Sequence, residues 1–428
     1  MKTFRLFLFV SFAFYSAIIS QPKELFNKLK SFNEIVEIKE VGKDSSVSES
    51  YEVYILQPLD HNNPAGPKFK QRIFISHKDE NLPVVFVTEG YSARGNRPYE
   101  LTRLLNANQI VVEHRYFGNS VPENKDWQFL NIKQSADDYH RIVKLFKQIY
   151  VGKWISTGIS KGGQTTLFYK RFYPNDVDVA VPYVAPVNVA QEDPRIYIFL
   201  NSVGTEECRN KMTQFQRAFL SRRDEIMPML MREAETNNTR FFLDWDELYE
   251  FWVFEYSFAF WQWGSATCEE IPLPDEPAEF LFEHMKKANS YDYFMENTVN
   301  QFGPFYVQAY NEIGFYGYDL SPFKDLLIAV KDGSSKILVP KDAEINFDCS
   351  VMHDINTWLQ KHGNNILYIY GGNDTWSATA IQLTGETNAV KMVKKKGNHG
   401  TRIYHFEGEE KEKIYSTLED WLNLKIQR

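Results

Sequence analysis

The chain has 428 residues and a formal net charge of −8, with 43% hydrophobic and 24% charged residues. That balance excludes a disordered tail, a collagen and a coiled coil, and an acidic chain without a Lys/Arg block makes a poor nucleic-acid binder. At ~150 residues per domain the length suits two or three domains, and the 15% of aromatic residues points to pockets and helix packing, because these side chains carry large buried area.

Met1 to Arg5 carries two positive charges, Leu6 to Ile19 is almost wholly apolar, and small residues stand at Ala17 and Ser20. This is the pattern of a secretory signal peptide over 1–20. The apolar run is short against the ~20 residues of a bilayer span. Cleavage after Ser20 leaves Gln21 first and puts the rather large Ile18 three residues before the cut; an uncleaved anchor is the alternative. No later segment is long and apolar enough to span a membrane. The expectation is a protein of the secretory route without stable membrane insertion, extracellular or lumenal (lysosome-like, vacuolar or periplasmic). Such a compartment lets the three cysteines form one disulfide. The pair expected is Cys208 with Cys268, both in the segment read below as a cap, which leaves Cys349 free. The cysteines lack metal-ligand spacing, and neither a metal nor an organic cofactor is indicated.

Residues 51–57 and 71–76 read as antiparallel edge strands. Pro83 to Thr88 and Asn108 to Glu113 are short apolar runs bounded by turn residues, which suits strands covered on both faces. Ser135, with Asp138 three residues on, predicts a capped helix start, and Tyr139, Ile142, Val143, Phe146 and Ile149 follow at helical spacing. Strands are predicted at 153–157 and 177–184, with a helix between them over 161–173. This alternation argues an α/β domain with a mainly parallel sheet over 21–189. From 190 to 345 the pattern turns helical and aromatic, with helices predicted at 217–235 and 244–259. The α/β pattern returns over 346–428, with strands at 365–370 and 389–393 and a closing helix at 410–422. A helical insert thus interrupts one sheet domain.

Gly158-Ile159-Ser160-Lys161-Gly162 has the G-x-S-x-G form and lies between a predicted strand and a predicted helix, the context of a nucleophile elbow. In that setting Ser160 is lifted above the sheet and the Lys161 N–H can donate to an oxyanion. A serine nucleophile needs a base and an orienting acid. Asp374 and His399 each follow a predicted strand, in the chain order Ser, Asp, His. His114 precedes Ser160 and is read as structural, and His353, His362 and His405 lack a loop of their own after a strand. A second oxyanion donor is expected from Gly90 or Tyr91, in the loop after the strand at 84–88. Glu89 beside it would oppose a developing negative charge, so it is read either as holding a substrate ammonium or as paired with Arg94, Arg97 or Arg115.

Gln57-Pro58-Leu59-Asp60-His61-Asn62-Asn63-Pro64 resembles a segment of the prolyl peptidases that include lysosomal Pro-X carboxypeptidase and the quiescent-cell proline dipeptidase. Glu113-His114-Arg115-Tyr116-Phe117-Gly118-Asn119-Ser120 resembles a second one. Gly158 to Gly163 with Ser-Lys at its centre, Glu255-Tyr256 with Phe260-Trp261-Gln262, and Gly397-Asn398-His399-Gly400 are similar to the bacterial secreted tripeptidyl aminopeptidases. The resemblance spans roughly 50–410. It implies an α/β-hydrolase fold with a helical cap. It also implies a serine exopeptidase that acts on peptides, favours proline at the cleaved position, and uses Ser160, Asp374 and His399 as nucleophile, orienter and base.

The carboxypeptidase branch has a tyrosine after the serine where this chain has Lys161, which favours release of short di- or tripeptide fragments from the N-terminus. A Pro-X carboxypeptidase, or an esterase or lipase on the same fold, is the alternative. Trp261 and Trp376 are candidates to line a proline pocket, and Glu89, Glu255 and Glu312 are candidates to hold an N-terminal ammonium.

Overall fold

Nine short segments, four of them wholly buried, pair into one sheet in the computed structural model, which describes residues 23–426. The signal peptide expected over 1–20 lies outside the described residues. The strands are β1 (Ile35–Glu40), β2 (Glu49–Pro58), β3 (Lys68–His77), β4 (Val84–Thr88), β5 (Asn108–Val112), β6 (Trp154–Ile159), β7 (Val179–Tyr183), β8 (Leu367–Gly371) and β9 (Val390–Lys394). Their order is β1-β2-β3-β5-β4-β6-β7-β8-β9. β1 is antiparallel to β2, β2 to β3 and β3 to β5, whereas β5, β4, β6, β7, β8 and β9 all run parallel. This is the α/β-hydrolase arrangement.

β4, β5, β7 and β8 are buried at every residue, because helices cover both faces and each strand can be apolar on both. Val85, Val87, Val111 and Ile155 meet Leu101, Ile414 and Leu418 on one face. Their neighbours Val84, Phe86, Ile110 and Trp154 meet Leu25, Tyr139, Ile142 and Phe146 on the other. The period-2 alternation of side chains sets this division.

Four expectations need correction. The sheet edge is β1, not the segments at 51–57 and 71–76, which are interior strands. β1 has no fully buried residue, so its pattern is faint. The helix expected to start at Ser135 runs from Ile132 to Phe146; Asn131 caps it by accepting from the Gln134 N–H, and Ser135 bonds back to the Asn131 carbonyl from inside the first turn. The helix expected over 217–235 is two helices, Glu206–Ser221 and Arg223–Thr236, meeting at Arg222. The helix expected at 244–259 extends to Trp263, where Gly264 ends it with a left-handed φ of 61°.

Among the described residues, no strand of the sheet lies between Tyr183 and Leu367. Most of that stretch is a helical layer over the C-terminal ends of the parallel strands. Its axis is the helix Trp245–Trp263, buried along nearly its whole length, as befits a helix apolar all round. Phe215, Phe219, Phe282 and Tyr291 pack about it. Cys208, in the first turn of one cap helix, is disulfide-bonded to Cys268, with the Cα atoms 5.4 Å apart; Cys349 is free and exposed.

Candidate active site

Ser160 sits between β6 and the helix Lys161–Phe172 with φ 57° and ψ −123°. That is a costly conformation for a residue with a Cβ, and such strain persists only where the surroundings impose it. A Cβ on Gly158 would stand 2.1 Å from the Gly162 carbonyl oxygen, and one on Gly163 would stand 2.7 Å from the Ala185 Cβ. Only glycines let the strand, the turn and the helix approach this closely. The Ser160 N–H donates to the Tyr183 carbonyl at 2.9 Å and its carbonyl accepts from Gln164 at 2.9 Å, so the backbone is fixed on both sides of the hydroxyl.

Asp374 follows β8 and His399 follows β9, so both lie at the same edge of the parallel sheet as Ser160. His399 Nδ1 and Asp374 Oδ2 are 2.8 Å apart, and both residues are buried. The other oxygen of Asp374 accepts from the Trp376 N–H at 3.1 Å. The backbone of His399 is held from the cap, by donation from its N–H to the Gln262 carbonyl at 2.8 Å. Trp263 lies edge-on to the histidine ring, with centroids 5.6 Å apart. The Ser160 hydroxyl makes no hydrogen bond to a described residue; in an empty site such bonds are commonly long and tighten when substrate binds.

The amides of Gly90, Tyr91 and Lys161 donate to no described residue. Gly90 lies directly on the elbow, where an added Cβ would meet the Gly162 nitrogen at 2.7 Å. The Lys161 side chain is buried; its ammonium donates to the Gly90 carbonyl at 2.7 Å and lies over the rings of Tyr91 and Phe117. Burial pushes it down to about 7, against the pull of Glu312. Burial also pushes Glu312 up to about 8, although it accepts from the Ile132 N–H at 2.5 Å and from Gln308 at 3.2 Å.

The three candidate acids have different surroundings. Glu312 has Lys161 for a neighbour and ties the cap to the start of the helix Ile132–Phe146. Glu89 accepts from the Tyr99 hydroxyl and is drawn toward ionisation by Arg94, while burial raises its carboxyl to about 6. It forms no ion pair with Arg97 or Arg115. Glu255 is buried in the cap helix and accepts from Tyr316 at 3.0 Å and Tyr318 at 2.7 Å. Burial raises it to about 7, and no cation compensates it among the described residues. Tyr316 also borders Trp376, whose ring meets Phe258, Phe315 and Tyr316. Trp261 is elsewhere: it packs on Gly204 and Phe260 within the cap. The tryptophan beside the histidine is Trp263, which nothing in its local sequence distinguishes.

The two segments that carry the resemblance near residues 60 and 115 form the scaffold. Arg115 holds Asp138 with two hydrogen bonds of 2.7 and 2.9 Å, and His61 meets the same carboxylate at 2.7 Å. Glu113, fully buried, accepts from Arg72, the Ala93 N–H, the Asn119 N–H and the Ser120 hydroxyl. A buried charge held this completely fixes a loop. His114 is buried with Nδ1 2.8 Å from the Arg115 carbonyl, and burial holds its ring well below the usual histidine range.

A family model described as PS-10 peptidase S37 matches residues 27–427. Over 379 residues the chain is 32% identical to the prolyl tri/tetrapeptidyl aminopeptidase of Streptomyces mobaraensis, covering 87% of this chain and 80% of that one. Over 183 residues it is 25% identical to the lysosomal Pro-X carboxypeptidase of Homo sapiens, covering 38% of this chain and 37% of that one. Among solved structures, acetyl xylan esterase 1 from Thermoanaerobacterium sp. JW/SL YS485 aligns over 94% of this chain and 91% of its own, with 11% identity and a TM-score of 0.38. With a family model spanning nearly the whole chain, the protein belongs to the peptidase S37 family and is a serine-type peptidase.

Proposed function

We propose that the protein is an exopeptidase of the secretory route that releases short N-terminal fragments, cleaving after proline, with Ser160, His399 and Asp374 as its triad. The observation that carries this reading is the buried 2.8 Å contact between His399 and Asp374, on the strand edge that also bears the strained Ser160. His399 takes the Ser160 proton as the hydroxyl attacks the carbonyl, and Asp374 steadies the imidazolium. His399 then protonates the leaving amine, and water resolves the acyl-enzyme.

The oxyanion falls to the N–H of Lys161 and that of Tyr91, with Gly90 the alternative donor. Each donor is worth ~3 kcal/mol in the transition state. The Gly90 carbonyl and the Tyr91 N–H belong to one trans peptide and point in opposite directions. Lys161 grips that carbonyl, so its side chain orients one donor while its backbone supplies the other.

Glu255 is assigned to the substrate ammonium, because it is the candidate acid whose buried charge lacks a cation, and a charge-assisted pair would compensate it. The Trp376 wall beside it suits a proline ring. The relative in Streptomyces mobaraensis, named for prolyl tri/tetrapeptidyl release, supports the aminopeptidase direction. Mass spectrometry of the products from two proline-containing peptides, one blocked at each end, tests it. Cleavage that needs the free N-terminus and is lost in Ser160→Ala is expected. Cleavage that needs the free C-terminus would move the protein to the carboxypeptidase direction. Cleavage of esters alone would sink the peptidase specificity.

A further inference from the structure

A cavity of ≈ 710 Å³ opens beside the candidate site, on the side away from the cap. It lies between residues 94–104, after β4, and residues 402–404, after β9. Its wall includes Ile159, the residue before Ser160, and no residue of the helical cap. Four arginines line it: Arg94, Arg97, Arg103 and Arg402.

Among the described residues, these arginines lack the carboxylate partners that several others in this chain have. Arg72, Arg115, Arg195 and Arg223 each hold a carboxylate, whereas none of the four around the cavity forms an ion pair among the described residues. The guanidinium groups of Arg94, Arg97 and Arg103 also make no hydrogen bond there. One acid lines the cavity, Glu100, and its oxygens are already engaged. They accept from the Tyr183 hydroxyl at 2.9 Å, the Ile403 N–H at 3.0 Å and the Tyr404 N–H at 2.6 Å. Glu89 stands behind Tyr99 and reaches Arg94 only at a distance, and Asp44 reaches Arg103 likewise. An acidic protein therefore carries a net positive cavity next to its reactive serine, and a low-dielectric wall focuses such a field.

We infer that this cavity receives a carboxylate of the leaving peptide, downstream of the cleaved bond. The inference rests on the reading of the site given above. In that reading His399 hands its proton to the leaving amine, so the leaving peptide departs on the histidine side. Arg402 stands there, with Nη1 3.3 Å from the His399 carbonyl. The acyl portion occupies the opposite, aromatic side, under Trp376 and Glu255. Planar guanidinium groups match a carboxylate through paired hydrogen bonds. The carboxylate is either an Asp or Glu side chain or the C-terminus of a short leaving peptide; both present the same two oxygens.

Three peptides identical up to the cleaved proline bond test this. One carries a downstream Asp and an amidated C-terminus, one has neutral residues and a free C-terminus, and one carries a downstream Lys and an amide. The first or second is expected to exceed the third in kcat/KM by about tenfold at low salt, with the ratio shrinking as ionic strength rises. Which of the two leads identifies the source of the carboxylate. In the double variant Arg94→Glu/Arg97→Glu, shown folded by its melting curve, the ratio is expected to collapse or invert. Equal rates for all three peptides in the native enzyme, or a ratio that survives in the variant, would overturn the inference. If no peptide is cleaved, the reading of the site fails separately. Calorimetry of the three downstream peptides on the native protein then decides the cavity, with tighter binding of the carboxylate-bearing peptides expected and equal binding refuting it.

Discussion

The edge of the parallel sheet and the aromatic wall of the cap meet at one site but are built by opposite means. At the sheet edge, position is set by backbone. Gly158, Gly162 and Gly163 allow approaches that no Cβ permits, and Ser160 is held in a strained φ. Where the cap meets the turn after β8, position is set by side chains from distant segments. Glu255, Tyr316, Tyr318 and Trp376 form one cluster through hydroxyl contacts and ring packing. The first arrangement suits reactive atoms, which must be placed to a fraction of an ångström. The second suits recognition, where one residue can be altered without moving the nucleophile. Substitutions at the edge should therefore act on kcat, and substitutions in the cap on KM.

The largest effect is expected at the proposed triad. Ser160→Ala should lower kcat by about six orders of magnitude and Asp374→Asn by about four, measured with a proline-containing anilide. Ser160→Gly sharpens the point. Glycine accepts the positive φ of this position, so this variant should be inactive and melt higher than Ser160→Ala. A lower melting temperature would show that the elbow is not strained. Lys161→Met comes next. It keeps the buried stem and loses the hold on the Gly90 carbonyl, so kcat should fall about ten- to a hundredfold with KM little changed. Affinity for a peptide boronate should fall by the same factor. A purely structural lysine would lower the melting temperature without this parallel.

In the cap, Glu255→Gln should raise KM for peptides with a free N-terminus about tenfold and leave the binding of N-terminally blocked peptides, read as inhibition, unaffected. The pH dependence is specific. Burial raises the Glu255 carboxyl to about 7, so the native enzyme should lose affinity as pH falls through 7 and the carboxylate gains a proton. The stability effect has the opposite sign. Between the ordinary carboxylate range and 7 the folded protein holds a proton that the unfolded chain releases, so stability falls as pH rises through that window. Above pH 7, Glu255→Gln should therefore melt higher than the native protein. A native KM independent of pH from 5.5 to 8 would remove Glu255 from substrate binding.

The same contrast decides what could be read from sequence. The elbow was legible because glycines, serine, strand and helix are contiguous, and Asp374 and His399 were legible because each directly follows an apolar run. The cap cluster was less so. Glu255 and Trp376 could be named singly, but Tyr316 and Tyr318 come from a segment without periodicity. Trp263 was hidden because its helix is aromatic throughout, so no face stands out. The helix start was displaced because Asn131 and Ser135 can both act as caps, and only the fold selects Asn131. The break at Arg222 has neither glycine nor proline to announce it. The segments at 57–64 and 113–120 identified relatives without marking chemistry, because their charges hold loops together.

The smallest catalytic effect is expected where the cap is tied to itself. The bond between Cys208 and Cys268 closes a loop of 60 residues, which in a chain-entropy account stabilises the cap by about 4 kcal/mol. That loop contains the helix whose end carries Gln262 and Trp263, the two contacts from the cap to His399. Replacing both cysteines with serine should leave kcat at 25 °C within about twofold, since the folded geometry is unchanged and the effect falls largely on the unfolded chain. On heating, activity should be lost before the sheet melts, because a cap that frays releases the histidine first. Thermal inactivation followed beside far-ultraviolet dichroism separates the two events. If both curves shift together, cap and sheet unfold as one unit, and the division between a backbone-built edge and a side-chain-built wall does not extend to stability.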